Sequence, residues 1–320
     1  MFSSSRLHVQ GEARLRYGLV VCPGLCAYAV SRDHMAFDSK YVPALRGPRR
    51  PQTVLYALLS GTLVVRGGAT VRGPALLAFP QVMLDGADGQ RPTTFVTGGR
   101  EFAAMIVMLD DALFGGPPLI DATEVRHLDL PPTMLEPIAT AARALYSDGC
   151  DRERERAVRH VLDRWQAAGY LGNAPRLGFG FTAAAGRLWA TVARAWGRTA
   201  TPTLDEMSAD AEVSPRQLRR DVRAFVAMLG IGQGMSWRED IVSLRLRLAV
   251  TLLSAPGATP AAVATAVGYG RLSSMGRAFQ NGGIALPRVI TPVLQANARA
   301  FEAWERDGGE LPPLRELTPG

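Results

Sequence analysis

The apolar residues of this chain change period once, near Pro117-Pro118, and that change decides what it can fold into. From residue 15 to about 115, short apolar runs alternate with turn residues. Thr53–Ser60, Thr62–Val65, Ala75–Phe79, Thr93–Thr97 and Phe102–Leu109 are separated by Gly67-Gly68, Arg72-Gly73-Pro74, Gly86 to Gly89 and Gly98-Gly99. Many short strands punctuated this way predict an antiparallel sandwich or barrel, with the glycine pairs as hairpin turns. No helical repeat interrupts the runs, which argues against a parallel α/β sheet.

After the change the repeat is helical. Thr133–Tyr146 and Asp151–Ala168 read as amphipathic helices. The second carries Val158, Val161, Leu162 and Trp165 on one stripe and Arg152, Glu153, Arg156, Arg159 and Asp163 opposite. Residues 172–180 hold Pro175 and three glycines, a natural linker. Further helices are expected at Thr182–Trp196, Leu204–Ala211, Pro215–Met228, Ser236–Ser254, Pro260–Val267 and Arg271–Asn281, followed by a polar, proline- and glycine-rich stretch from 300 to 320.

A length of 320 residues, 47% of them hydrophobic and 20% charged, suits two globular domains and not a disordered chain. The net charge of +7 is unevenly placed: residues 1–150 carry 14 basic against 13 acidic groups, so the excess lies in the C-terminal half. A basic half suggests a polyanionic partner. Three cysteines, Cys22, Cys26 and Cys150, form no disulfide pattern and fit a reducing cytosol. The polar start, Met1 to Gln10, has no signal-peptide character, and the longest apolar run, Phe102–Leu109, is too short to cross a bilayer. The expected location is therefore cytoplasmic, with no membrane partner.

Two segments carry a helix-turn-helix pattern. In the first, Leu204–Ala211 is followed by the turn Glu212-Val213-Ser214, and Ser214-Pro215 opens the next helix with a good cap and a good first residue. Leu204, Met207, Val213, Leu218, Val222 and Phe225 would pack the pair together, and Arg216, Gln217, Arg219, Arg220 and Arg223 would face outward. Arginine can pair with the two major-groove acceptors of guanine, and glutamine with adenine. Alone, such a face also fits a solvated bundle helix. The second segment repeats the plan: Pro260–Val267, the turn Gly268-Tyr269-Gly270, and a helix with Leu272, Met275 and Phe279 inward and Arg271, Ser273, Ser274, Arg277 and Gln280 more outward. A long helix between them, with Ile241, Leu244, Leu248 and Leu252 inward, would hold the two units for successive major-groove turns.

Residues of about 180–292 resemble the DNA-binding domain of the AraC/XylS family of bacterial transcription regulators. The matching stretches are Leu204 to Ser208, Val213 to Arg220, Ser236 to Asp240, Leu244 to Ala249, Leu252-Leu253, Val263-Ala264, Val267 to Tyr269, Ser273, Arg277 to Phe279 and Pro287. Glu212 departs from a frequent glycine, Met275 from an aromatic, Gly283-Ile284 from an aromatic-glycine pair and Thr291 from an arginine. The resemblance implies an α+β chain of two domains: a cupin-like β-barrel with helices over 1–170, a linker at 171–180, an all-α domain with two helix-turn-helix units over 181–295, and a polar tail at 296–320. It implies double-stranded DNA as partner, a small-molecule effector in the first domain, a homodimer paired through Asp151–Ala168, and RNA polymerase as a further partner. The DNA-binding residues would be Arg216, Gln217, Arg219, Arg220, Arg223, Arg271, Ser273, Ser274 and Arg277.

Nothing in the sequence points to catalysis. His8, His34, His127 and His160 form no paired ligand spacing, so neither a metal nor a cofactor is expected. No nucleophile elbow or phosphate loop is present. Asp110-Asp111 follows an apolar strand and fits a strand end. A barrel without catalytic groups can hold a ligand, with Tyr56, Phe79, Met83, Phe95 and Met105 as candidate lining residues. Two other readings stay open: an interaction partner of other regulators that does not bind DNA, and a cupin-type enzyme.

Overall fold

The computed structural model describes residues 2–10, 12–22, 24–42, 52–65, 68–80, 94–111, 125–147, 150–171, 203–229, 237–308, 313–315 and 317. Residues 172–180 of the expected linker, the helix Thr182–Trp196 and candidate Met83 lie outside these residues. The fold is α+β, with a β-rich half followed by a helical half.

Among the described residues, nine strands form one antiparallel sheet: β1 (Phe2–Gln10), β2 (Ala13–Cys22), β3 (Leu25–Asp33), β4 (Phe37–Asp38), β5 (Gln52–Val65), β6 (Thr70–Arg72), β7 (Ala75–Pro80), β8 (Phe95–Asp110) and β9 (Arg126–Leu128). The main path runs β1-β2-β3-β8-β5-β7-β9, with β4 beside β8 and β6 beside β5. One expected turn is not a turn, since Gly98-Gly99 lies inside β8, and two expected strands, Thr53–Ser60 and Thr62–Val65, are one strand running through Gly61. The β5–β8 register shifts between Leu58 and Ser60 and again between Ser60 and Thr62. These glycines mark a bulge at which two long strands bend together, a local geometry that looks like a hairpin turn in the sequence. Strands β1 to β3 also extend the sheet to Phe2, earlier than the expected start at 15.

Alternation divides the sheet residues between two cores. Tyr28, Val30, Val54, Tyr56, Leu58, Phe79, Phe95, Phe102 and Ala104 belong to one. Leu25, Ala27, Ala29, Leu55, Ala57, Met105, Val107 and Leu109 belong to the other. Helices α1 (Pro132–Tyr146) and α2 (Asp151–Ala167) cover the second face with Met134, Ile138, Leu145, Val158, Val161, Leu162 and Trp165. The apolar stripe of α2 is therefore consumed within the chain, and the face left open carries the exposed Arg152, Glu153, Arg156, Arg159 and Asp163.

Among the described residues the helical half holds α3 (Leu204–Asp210), α4 (Pro215–Leu229), α5 (Trp237–Leu253), α6 (Pro260–Ala266), α7 (Leu272–Asn281) and α8 (Pro287–Asp307). Helix α8 corrects the expected polar tail at 296–320. Ile290, Leu294, Ala298, Phe301 and Trp304 are buried along one side of a single helix that runs through that boundary. Their spacing is helical, but Pro292 inside the segment and charged residues on the outer side hide it. Beyond the helix, Asn297 holds the backbone of Arg315 from both sides, accepting from its N–H at 2.8 Å and donating to its carbonyl at 3.1 Å.

Helix α8 joins the two halves. Phe301 packs with Ala36, Val96 and Trp304, and Trp304 lies under the Arg72 guanidinium at 3.8 Å. The Arg100 N–H donates to Glu305 Oε2 at 2.7 Å, and His34 Nδ1 sits 3.1 Å from Glu302 Oε1. At the end of α5, Ser254 Oγ accepts the Ala36 N–H at 2.9 Å.

Candidate nucleic-acid interface

Each helix-turn-helix unit is built from its own caps. In the first, Thr203 Oγ1 accepts the Glu206 N–H at 3.2 Å while the Glu206 carboxylate accepts the Thr203 N–H at 2.7 Å, a reciprocal capping box. In the second, Thr259 Oγ1 accepts the Ala262 N–H at 3.3 Å, with Pro260 at the first helical position. Both first helices end in the same way. The Val213 N–H bonds to Ser208 O and the Glu212 N–H to Ala209 O, while the Tyr269 N–H bonds to Ala264 O and the Gly268 N–H to Thr265 O. This double bond pattern is the Schellman end, and it requires a left-handed residue after the cap. Gly268 meets that requirement at φ 85°, and Glu212 meets it at φ 55° despite its Cβ. The departure at Glu212 thus falls on the residue that sets the first turn.

The second helices start differently. Ser214 Oγ accepts the Gln217 N–H at 3.2 Å, as expected for the cap of α4. Arg271 is itself the cap of α7 and makes no side-chain capping bond. Behind them, Met207, Leu218 and Val222 are buried in the first unit, and Val263, Met275 and Phe279 in the second. The departures at Met275, Ile284 and Thr291 are all buried, and the Thr291 hydroxyl donates to Pro287 O at 2.6 Å. They fill core positions of the second unit.

Facing outward, Arg216, Arg219 and Arg220 are exposed on α4, and Arg271, Ser273 and Arg277 on α7. Ser274 and Gln217 are half-buried, and Gln217 Nε2 donates to Asp221 Oδ1 at 2.5 Å. The Arg223 side chain lies outside the described residues. Leu272, expected inside, is 44% exposed among these polar groups. It is the first helical residue of α7, where the chain has not yet turned its inward face to Met275 and Phe279. Helix α5 separates the units with 17 residues, roughly 25 Å at about 1.5 Å per residue. Its buried side includes Leu246, Ala249, Val250, Leu252 and Leu253, while Leu244 and Leu248, expected inward, are half-buried.

The chain is similar to solved regulator structures. Comparison with ToxT from Vibrio cholerae gives 8% identity and a TM-score of 0.34, over 83% of this chain and 97% of that one. A ToxT structure described as unsaturated fatty acid bound gives 9% identity and a TM-score of 0.35, over 87% and 98%. The AraC-like transcriptional activator CuxR gives 12% identity and a TM-score of 0.22, over 93% and 87%. No family model matches, and no curated protein matches. These likenesses are remote.

The candidate effector residues separate by face. Tyr56, Phe79 and Phe95 meet in the core on the sheet's first face, with Phe79 stacked on Phe95 at 5.5 Å and tilted against Tyr56 at 6.4 Å. Met105 belongs to the opposite face, packed under α1 and α2, because it is one residue out of phase with Ala104 and Ile106. The same face as Tyr56 holds a residue not anticipated from sequence: Arg32 on β3 is only 3% exposed. Its Nη2 donates to Thr97 Oγ1 at 2.5 Å, and its guanidinium lies 4.0 Å from the centre of the Phe102 ring. Burial lowers the Arg32 pKa to about 10, the neighbouring Tyr56 and Tyr28 acting in the other direction. The Tyr28 phenol is itself pushed up to about 12 by burial.

The remaining candidates do other work. Asp110 ends β8 and its N–H donates to Gly24 O, while Asp111 accepts the Thr53 hydroxyl at 2.7 Å. Among the described residues, no three His, Cys, Asp or Glu side chains come together in a way that could hold a metal ion. None of the described helices is long and apolar enough to cross a membrane.

Proposed function

We propose that this protein is a sequence-specific DNA-binding transcription regulator of the AraC/XylS kind. The observation that carries this reading is the repetition within one chain of a capped helix, a Schellman turn and a second helix with exposed polar and arginine side chains, Arg216, Arg219 and Arg220 in the first unit and Arg271, Ser273 and Arg277 in the second. Arg216, Arg219, Arg220 and, with its side chain undescribed, Arg223 belong to the first face. Arg271, Ser273, Ser274 and Arg277 belong to the second, with α5 spacing them for grooves about 34 Å apart. Gln217 reads a base only after giving up its bond to Asp221.

The sheet half serves as the effector-binding domain, and α8 couples it to the DNA-binding half. An effector shifts the protein between arrangements only if it prefers one of them. The regulator acts in the cytoplasm as a homodimer and communicates with RNA polymerase. Pairing through α2 would use its charged outer face, since the apolar stripe is already buried.

The test is binding to duplexes selected from a random pool, measured against salt concentration. Phosphate contacts release counterions, so the logarithm of affinity falls linearly with the logarithm of salt. Arg216→Ala and Arg220→Ala should each cost about 1–3 kcal/mol if they read bases. Unchanged affinity in both variants would remove these residues from the interface. No salt-dependent binding to any duplex would remove DNA as the partner.

A further inference from the structure

Laid over one another by their buried residues, the two helix-turn-helix units differ at one spot. Leu218 and Val222 of α4 are buried four residues apart, as are Met275 and Phe279 of α7. That register puts Leu272 at the place of Pro215, each the first residue of its helix, and Gly276 at the place of the exposed Arg219. The first unit presents an arginine where the second presents no side chain. Helix side chains lean toward the N-terminus, and residues four apart share a face, so residue 276 is the one that would cover Leu272. Being glycine, it covers nothing, and Leu272 is left 44% exposed. Packing does not call for that glycine, since an added Cβ would meet Leu286 at 3.7 Å, an ordinary contact. Glycine inside a helix also weakens it. Among the described residues, Leu272 and Val289 are the large apolar side chains that stand exposed, and Val289 belongs to α8. Leu272 stands in the polar row, between the exposed Arg271 and Ser273.

We propose that Leu272 selects a thymine in the second groove by packing against its 5-methyl group, with Gly276 leaving room for that contact. This deepens the DNA-binding reading given above and rests on it. The first turn of a recognition helix is the part that reaches base edges. Base edges in the major groove offer donors and acceptors, and thymine adds an apolar group, its methyl. An exposed leucine at that place has no hydrogen bond to give, so it can favour a base only through apolar contact. The two units therefore ask for different sequences. Arg216, Arg219 and Arg220 suit the paired acceptors of guanine, while the start of α7 asks for a T·A pair at one position.

The experiment uses the full chain and duplexes it selects from a random pool. Each thymine of a selected duplex is replaced in turn by uracil, which keeps the hydrogen-bonding edge and lacks only the methyl. At one thymine, uracil should weaken binding by the native protein about fourfold, the worth of one buried methyl-sized group. Leu272→Ala should bind the thymine and uracil duplexes equally at that position, while uracil effects elsewhere keep their size. Its Tm should match the parent's, because the side chain it shortens is exposed. Selected sites without a fixed thymine, no methyl effect at any thymine, methyl effects that all survive Leu272→Ala, or a loss in Leu272→Ala shared equally by thymine and uracil duplexes would overturn this assignment alone. A native protein that selects no duplex would overturn it together with the regulator reading.

Discussion

Glu212→Gly should stabilise the protein, and the reason is local. Glu212 sits at φ 55° in the first turn, where the chain needs a left-handed residue. Holding a Cβ there costs roughly 1–2 kcal/mol. Glycine removes that strain but adds unfolded-chain freedom worth roughly 0.5–1 kcal/mol. The difference is a net gain of about 0–1.5 kcal/mol, centred on about 0.75 kcal/mol, which is a Tm rise of roughly 3 °C for a unit of about 100 residues. Glu212→Ala is the control. It keeps the Cβ and the strain, so its stability should stay within about 0.5 kcal/mol of the parent. Gly268→Ala imposes the same strain on the second turn, at φ 85°, and should lower the Tm. Scanning calorimetry on the three variants separates these outcomes. If Glu212→Gly lowers the Tm, or Glu212→Ala matches its gain, the left-handed turn is not what makes Glu212 unfavourable.

Other consequences follow from the same geometry. Phe301→Ala should cost about 3–5 kcal/mol of α8 docking, because the ring is fully buried between helix and sheet, and protease sensitivity near 98–100 should rise with it. Burial raises the Asp111 pKa despite its bond to Thr53. The folded state therefore holds its proton to higher pH than the unfolded chain, and this group's penalty grows as pH rises through the raised value. Asp111→Asn should be more stable than the parent at neutral pH, and thermal unfolding at falling pH should show the difference closing. Maleimide labelling of the native protein should modify Cys150, which is exposed, far faster than Cys22 or Cys26, whose buried thiols are pushed up to about 12. Equal labelling of all three would contradict the packing of β2 and β3.

Much of the helical half was legible because its signals are local. Ser214 marks a helix start through its bond to the N–H three positions on, Pro215 and Pro260 mark starts through their fixed backbone angle, and Gly268 marks a stop through its own φ. The same locality misled at Gly98-Gly99, since a bulge between two long strands uses the same residues as a hairpin turn. Leu272 was misplaced for a related reason: periodicity gives an apolar stripe but not which end of it the tertiary contacts cover.

Period, capping and turn chemistry, all set within a few residues, determined the α+β order, the two helix-turn-helix units and the outward arginines. Tertiary structure alone decided that Phe79 and Met105 serve opposite faces, that α8 binds the halves together, and that Arg32 is buried. Its bond to Thr97 spans 65 residues of sequence and its ring partner is Phe102 on the neighbouring strand. Burial of one strand's side chain depends on which distant strands flank and cover it, and residues a few positions along the chain carry no record of that pairing.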